Sequence, residues 1–223
     1  MRQQHHKRIR TLMIIAGLLL PVFVWAYDPV PPPAWEGDVG RVRHLYLFPN
    51  GGMAPSADES DNPFGSAVAA VSLGQYSAGW QDPNADPPET YGEPGDGAWD
   101  LGKGPVGAIR ITVPIGNSAS TPEFKGYNVD IQVNVVGYSS PVALPSLSVD
   151  GYGLDNTNQT DTLAFEDPVV GYWYNRTWTA QVKNVMADQI TLIIAADSIK
   201  GSLIDVVEIY AVESADSGTV FVF

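Results

Sequence analysis

The sequence predicts an all-β protein, folded as an antiparallel β-sandwich or jelly roll. Apolar and polar residues alternate along several segments, as they do on strands that bury one face. Clusters of turn residues separate these segments, among them Pro49-Asn-Gly-Gly52 and Asp150-Gly151. No stretch of helical length carries a 3.6-residue apolar period with caps. Many short strands joined by frequent turns are typical of a sandwich.

Residues 127–135 give the clearest strand signal, because apolar and polar residues alternate there without a fault. We expect one set to face the core and the other to face water: Tyr127, Val129, Ile131, Val133 and Val135 against Asn128, Asp130, Gln132 and Asn134. Similar alternation predicts strands at 109–113 and 190–194. The run 203–212 is apolar on both faces, which indicates a central strand. Weaker strand candidates cover 44–48, 67–73, 145–149, 162–166 and 169–180.

The first 26 residues are typical of a secretory signal peptide. Four basic residues precede a short apolar run, Thr11–Val24, and Ala26 supplies a small residue for cleavage. The alternative is an uncleaved membrane anchor, but the run is short for a span and contains Pro21. We therefore expect secretion or an envelope location, with no stable membrane span after cleavage.

The rest of the chain divides by composition into three parts. Residues 27–40 are rich in Pro and predict an extended lead-in that lies on the domain surface, with Trp35 holding it there. Residues 41–213 hold all the strand signals and predict a single sandwich domain. Residues 214–223 form a short tail.

Composition excludes several kinds of chemistry. The first 26 residues hold four of the 12 basic residues and none of the 25 acidic ones, so residues 27–223 carry a formal charge of −17. Such a surface repels phosphate backbones, and we expect no nucleic-acid partner. The chain has no cysteine, which excludes disulfides and thiolate chemistry. His44 is the one histidine after residue 26, and its strand context favours a structural role over a catalytic one.

The long loop 81–97 contains oxygen ligands at calcium-loop spacing. Asp82, Asn84, Asp86 and Glu93 occupy positions 1, 3, 5 and 12 of such a loop. Position 6 is Pro87 instead of the usual Gly, and no helices flank the loop, so an EF-hand is excluded. A looser calcium site is the expectation to test, and a solvated acidic loop is its alternative.

Aromatic residues concentrate at Tyr172–Trp178. On a strand, Tyr172, Tyr174 and Trp178 share one face, which leaves Trp173 with Asn175 and Thr177 on the other, more polar face. An exposed indole beside amide and hydroxyl groups can stack on a sugar ring. Trp173, Asn175 and Thr177 are therefore the candidate sugar platform, and a tryptophan that covers the rim of the core is the alternative.

Several segments, taken in order, resemble a group of exported bacterial envelope proteins of unassigned activity. The segments are Pro32-Pro-Ala-Trp-Glu-Gly37, Leu45-Tyr-Leu-Phe48, Asn62-Pro-Phe-Gly65, Gly97-Ala-Trp-Asp-Leu-Gly102, Ile109-Arg-Ile111, Trp173–Trp178 and Ile204-Asp-Val-Val-Glu-Ile-Tyr210. The resemblance implies a single galactose-binding-like jelly roll. Many members of the group carry a C-terminal PEP-CTERM sorting tag, whereas residues 213–223 contain no Pro-Glu-Pro box. The group brings no catalytic residues to this chain.

These observations together predict a secreted, non-catalytic β-sandwich that acts in extracellular or envelope binding or adhesion. Polysaccharide and other envelope proteins are the expected partners, and calcium is the one candidate cofactor. One alternative is a structural component that associates with copies of itself, since the candidate edge strands carry little lysine. A carboxylate-based glycoside hydrolase is a third reading, but the sequence points to no particular pair of acids.

Overall fold

The computed structural model describes residues 30–82, 97–104, 106–116, 126–139, 143–167 and 171–214. These residues form twelve β-strands in two antiparallel sheets, so the predicted all-β sandwich is confirmed. The narrower jelly-roll topology stays a prediction. Within the described ranges, no helix has the length and apolar character needed to cross a membrane.

The larger sheet has the strand order β2-β1-β12-β7-β10-β9. The six strands in this order are β1 (Val42–Tyr46), β2 (Glu59–Asp61), β7 (Tyr127–Tyr138), β9 (Leu154–Asp167), β10 (Gly171–Val185) and β12 (Leu203–Glu213). Two short strands extend it beside β12: β5 (Ala98–Asp100) pairs with β12, and β4 (Gly79–Gln81) pairs with β5. The predicted central strand 203–212 is confirmed, because β12 has neighbours on both sides.

The smaller sheet has the order β3-β6-β11-β8. It consists of β3 (Val68–Ser72), β6 (Ala108–Pro114), β8 (Ser146–Val149) and β11 (Gln189–Ala195). The predicted strands at 109–113 and 190–194 are confirmed as β6 and β11, which pair in register along their whole length. Of the weaker candidates, 162–166 falls inside a strand that begins eight residues earlier.

The main core lies between the two sheets. On β7, the five apolar residues predicted to face the core are all buried in it. Ile209 and Val207 of β12 and Trp178 of β10 pack into the same cluster from the larger sheet. The smaller sheet contributes alternate residues of β6 and β11: Ile109, Ile111, Val113, Ile190, Leu192 and Ile194.

The outer face of the larger sheet differs from the sequence prediction. Gln132 and Asn134 of β7, expected to face water, are only 5% and 1% exposed, so that expectation is wrong for both. Glu208 on the neighbouring strand β12 is also fully buried. A second apolar cluster lies on this face, formed by Leu45, Ala98, Val136, Tyr138, Trp173, Leu203 and Val206. Alternation predicts which face a side chain joins, but burial depends on what covers that face.

Part of the cover is the Pro-rich lead-in. Gln132 on the outer face donates from Nε2 to the backbone oxygen of Pro31 at 3.1 Å. Two turns follow, in which the Glu36 N–H donates to the Pro33 oxygen and the Asp38 N–H to the Trp35 oxygen. The lead-in therefore contacts the sandwich at Pro31, and Trp35 lies at a turn beside the outer face.

Candidate functional site

Trp173 does not form an open sugar platform, and that part of the prediction is wrong. Its side chain is 0% exposed, and its ring packs against Tyr138 with centroids 5.4 Å apart and planes at 59°. The strand pairing does place Trp173 opposite Tyr138 on the outer face, as alternation indicates. The prediction assumes that this face is exposed to solvent, whereas Trp173 is buried in the second apolar cluster.

The other two residues of the predicted platform lie beside it at different depths. Asn175 shares the outer face but is only 8% exposed, and its Oδ1 accepts no hydrogen bond from the described residues. Thr177 is half-buried and lies opposite Asn134 on β7. The three residues are therefore brought together on one face, but the ring that should stack on a sugar is not accessible.

The predicted calcium ligands fall mainly outside the described residues. Asp82 follows β4 and is half-buried, whereas Asn84, Asp86 and Glu93 lie in the range 83–96, which the structure does not describe. Among the residues it does describe, no group of three or more acidic or histidine side chains could hold a metal ion. The calcium loop stays a prediction.

A shallow polar pocket of about 190 Å³ lies on the outer face beside Trp35. Its lining combines the indole with side chains of three neighbouring strands: Asp130 of β7, Thr179 and Gln181 of β10, and Asn156 of β9. Trp35 is half-buried and lines this pocket. We call this site the Trp35 pocket.

Hydrogen bonds fix the floor of the Trp35 pocket. Asp130 and Gln181 are directly opposite in the β7–β10 register. The Gln181 Nε2 donates to Asp130 Oδ1 at 2.8 Å and to the Ser214 hydroxyl at 2.9 Å. Because Gln181 uses its amide donor in these contacts, its carbonyl oxygen is oriented by them, and Asp130 keeps a second carboxylate oxygen for a ligand.

A β-bulge positions Asn156. The pairing of β9 with β10 shifts register between Thr179 and Gln181, opposite the stretch of β9 that contains Asn156. Asn156 has φ of 50°, a left-handed conformation that asparagine tolerates better than most residues. Bulges of this kind re-aim side chains and are frequent beside binding sites. The local backbone thus brings an amide side chain to the rim of the pocket.

The chemistry of the Trp35 pocket suits hydroxyl-rich ligands. The C–H face of a sugar packs on an indole, and its hydroxyls exchange hydrogen bonds with amide, hydroxyl and carboxylate groups. Glycoside hydrolysis needs two carboxyl groups about 5–10 Å apart across the scissile bond. In the lining described here Asp130 is the only carboxylate, so the arrangement fits binding better than hydrolysis.

A second cavity, of about 320 Å³, lies where β1 and β2 meet β3. His44 forms part of its lining, together with Ser60 and several small residues. The ring of His44 is fully buried, and burial lowers its pKa below the usual 6.5. Its Nδ1 lies 3.0 Å from the Ser60 hydroxyl, and its Nε2 lies 3.0 Å from Nδ2 of Asn62.

The hydrogen-bond network sets the tautomer of His44. Asn62 accepts the Phe64 N–H at its Oδ1, and its Nδ2 donates to the Pro114 oxygen, so the amide group faces the histidine with its NH₂ end. His44 Nε2 must then accept, which leaves the proton on Nδ1 for donation to Ser60. A general base needs a free lone pair toward its nucleophile. His44 therefore holds Ser60 in place and is not poised to deprotonate it.

Sequence reasoning missed the two residues that distinguish the Trp35 pocket. The sequence predicts only that Trp35 holds the lead-in on the domain surface. A tryptophan that packs a surface segment against a sheet also lines the pocket next to it. Asn156 belongs to an Asx-rich segment whose β-strand character is not visible in its composition. No known family model matches the chain, and no curated protein sequence matches it.

Proposed function

We propose that this protein is a secreted, non-catalytic β-sandwich that binds polysaccharide in the extracellular matrix or cell envelope, through the Trp35 pocket. The observation that carries the proposal is a pocket in which the half-buried Trp35 lies beside Asp130, Gln181, Asn156 and Thr179. Export is supported by the basic and apolar pattern of the first 26 residues. The galactose-binding-like jelly roll is part of the same proposal.

The shape of the site supports a polymer more than a small free ligand. Small-molecule sites are usually clefts of about 300–1,000 Å³ that enclose most of the ligand. The Trp35 pocket is smaller and lies on a sheet face, so it would contact one side of a sugar unit and leave the rest of a chain in solvent. The acidic composition of residues 27–223 favours neutral or cationic glycans over anionic ones.

The experiment is retention on insoluble polysaccharides. Protein expressed from the full-length gene would be incubated with cellulose, chitin, xylan and starch, first with calcium and then with EDTA. We expect retention on at least one polymer, and we expect Trp35→Ala to lose most of it while Trp35→Phe keeps part. Loss of retention with EDTA would also assign calcium to the binding, as the spacing of Asp82, Asn84, Asp86 and Glu93 predicts.

The matched control is Tyr76→Ala. Tyr76 is 78% exposed, lies outside the Trp35 pocket and contacts Lys103 through its ring, so it tests whether any exposed aromatic contributes. Tyr76→Ala should be retained like the unchanged protein. Equal retention of Trp35→Ala and the unchanged protein would contradict the proposed site, and failure to bind any polymer would contradict the proposed function.

A further inference from the structure

Strand β9 is a long edge with no described strand on its outer side. It spans fourteen residues, Leu154–Asp167, and pairs only with β10 among the described strands. All ten residues from Asp155 to Ala164 are exposed. The other edge strands among the described residues are much shorter, with three residues each in β2 and β4, five in β3 and four in β8. An edge of this length presents a row of backbone donors and acceptors that can pair with another strand.

The usual protection of an edge strand is weak on β9. The strand contains no lysine and no proline. Two of its four acidic side chains are paired within the hairpin: Arg176 makes a bidentate pair with Asp161 at 2.6 and 2.7 Å, and Lys183 lies 3.7 Å from Asp155. The other two acidic residues, Glu166 and Asp167, lie at the C-terminal end of the strand. Register shifts bend the strand at both ends, but residues 158–163 pair with 174–179 in unbroken register. The edge therefore has a regular six-residue stretch without an uncompensated charge.

We propose that β9 pairs antiparallel with β9 of a second copy of this chain, with Thr160 opposite Thr160 at the two-fold axis. The pairing joins the two larger sheets into one continuous sheet. It is a further property of the protein, and it does not depend on polysaccharide binding.

Symmetry and charge together select this register. A two-fold axis perpendicular to the sheet must pass between identical residues, because directly opposed side chains share a face. The regular stretch is centred between residues 160 and 161. An axis at Asp161 would place two carboxylates directly opposite each other, which is destabilising. An axis at Thr160 places Asn158 opposite Thr162 and Gln159 opposite Asp161, so an amide donor meets each carboxylate.

The proposed pairing places the two Trp35 pockets on the same face of the joined sheet. Asn156 lies four residues from the axis in each copy, so the two pockets are separated by roughly 27 Å along the strands at about 3.4 Å per residue. Two linked sites on one polymer bind more tightly than either alone. This last consequence rests on the proposed function, whereas the dimer itself does not.

The test is the solution mass of the protein, measured by sedimentation over a wide range of concentration. We expect a reversible monomer–dimer equilibrium for the unchanged chain. Thr160→Lys places two ammonium groups opposite each other and should leave a monomer at every concentration. Ser148→Lys adds the same charge to the exposed β8 edge of the smaller sheet and should dimerise like the unchanged chain.

A cysteine variant tests the register and guards against a folding defect in Thr160→Lys. The chain has no cysteine, so Thr160→Cys adds its only thiol. A short bis-maleimide reagent should cross-link Thr160→Cys into a dimer, and should leave Ser148→Cys largely monomeric. A monomer at all concentrations without cross-linking, or dimerisation unaffected by Thr160→Lys, would overturn the proposal. Neither readout involves polysaccharide, so its failure is distinct from failure of the proposed function.

Discussion

The two faces of the larger sheet come from alternate residues of the same strands, yet they bury different chemistry. The inner face of β7 and β12 is built mainly from Val and Ile side chains that pack against the smaller sheet. The outer face of the same strands buries Gln132, Asn134 and Glu208. The inner face is stabilised by removal of apolar surface from water, whereas the outer face depends on each polar group finding a partner.

The partners on the outer face are in place around Glu208. Its carboxylate accepts from Nε and Nη2 of Arg43 at 3.0 and 2.8 Å, and from the hydroxyl of Tyr210 at 2.8 Å. Asn134 donates to the other carboxylate oxygen at 3.0 Å. Burial and the bond to Glu208 raise the pKa of Tyr210 to about 12, so its hydroxyl stays a donor. A buried polar face is therefore sensitive to the loss of a single partner.

The largest expected effect follows from removal of Arg43. In Arg43→Leu the carboxylate of Glu208 stays buried without its cation, and loss of one partner from a buried pair costs about 3–5 kcal/mol. The free energy of unfolding, measured by urea denaturation, should fall by that amount. Arg43→Leu combined with Glu208→Leu should be more stable than Arg43→Leu alone, since the double change also removes the buried, unpaired carboxylate of Glu208.

The matched control for this prediction is Arg41→Leu. Arg41 pairs with Asp61 at 3.1 Å, but the Asp61 side chain is 66% exposed. Surface pairs of this kind contribute about 0–1 kcal/mol, so Arg41→Leu should change the free energy of unfolding little. Equal effects of the two arginine substitutions would contradict the difference between a buried and an open ion pair.

Ile209 provides the corresponding test of the inner face. It lies on β12 opposite Val133 and His44, and its side chain is fully buried. Ile209→Ala should lower the free energy of unfolding by about 2–5 kcal/mol and Ile209→Val by about 0.5–1.5 kcal/mol, because each lost methyl group leaves a cavity. Thermal and urea unfolding would measure both. No second substitution should rescue Ile209→Ala as Glu208→Leu rescues Arg43→Leu, because the inner face has no paired partner to remove.

The same contrast explains how far the sequence predicts the structure. Period-two alternation identifies β6, β7 and β11 and the side of each strand that Val and Ile occupy, because these apolar side chains are stable only in the core. A continuous apolar run identifies β12 as a central strand. Alternation does not predict whether the side chains of Trp173 and Asn134 are exposed to solvent, since that depends on which distant segments cover the outer face. The Trp35 pocket combines a lead-in residue with a bulge on β9, and neither local composition nor spacing encodes that contact.

His44 is a buried polar residue on the inner face, and it gives the smallest expected effect. Val42 and Tyr46, which share its side of β1, belong to the main core, while His44 is held between Ser60 and Asn62. Burial lowers its pKa in the folded protein below 6.5. At a pH between the folded pKa of His44 and its unfolded pKa of about 6.5, the unfolded chain binds a proton at His44 that the folded chain does not. Stability is therefore full above about pH 6.5 and falls as the pH drops below it.

Thermal unfolding between about pH 7.5 and pH 5 would measure this loss, because ordinary carboxyl groups remain ionised over most of that range. The other two histidines, His5 and His6, lie in the first 26 residues. His44→Gln keeps a donor and an acceptor for Ser60 and Asn62 but does not titrate, so it should unfold at a lower temperature that varies less with pH. A slope that persists unchanged in His44→Gln would assign the pH dependence to other groups. A flat profile in the unchanged protein would mean that the cavity beside His44 admits enough water to stabilise the imidazolium.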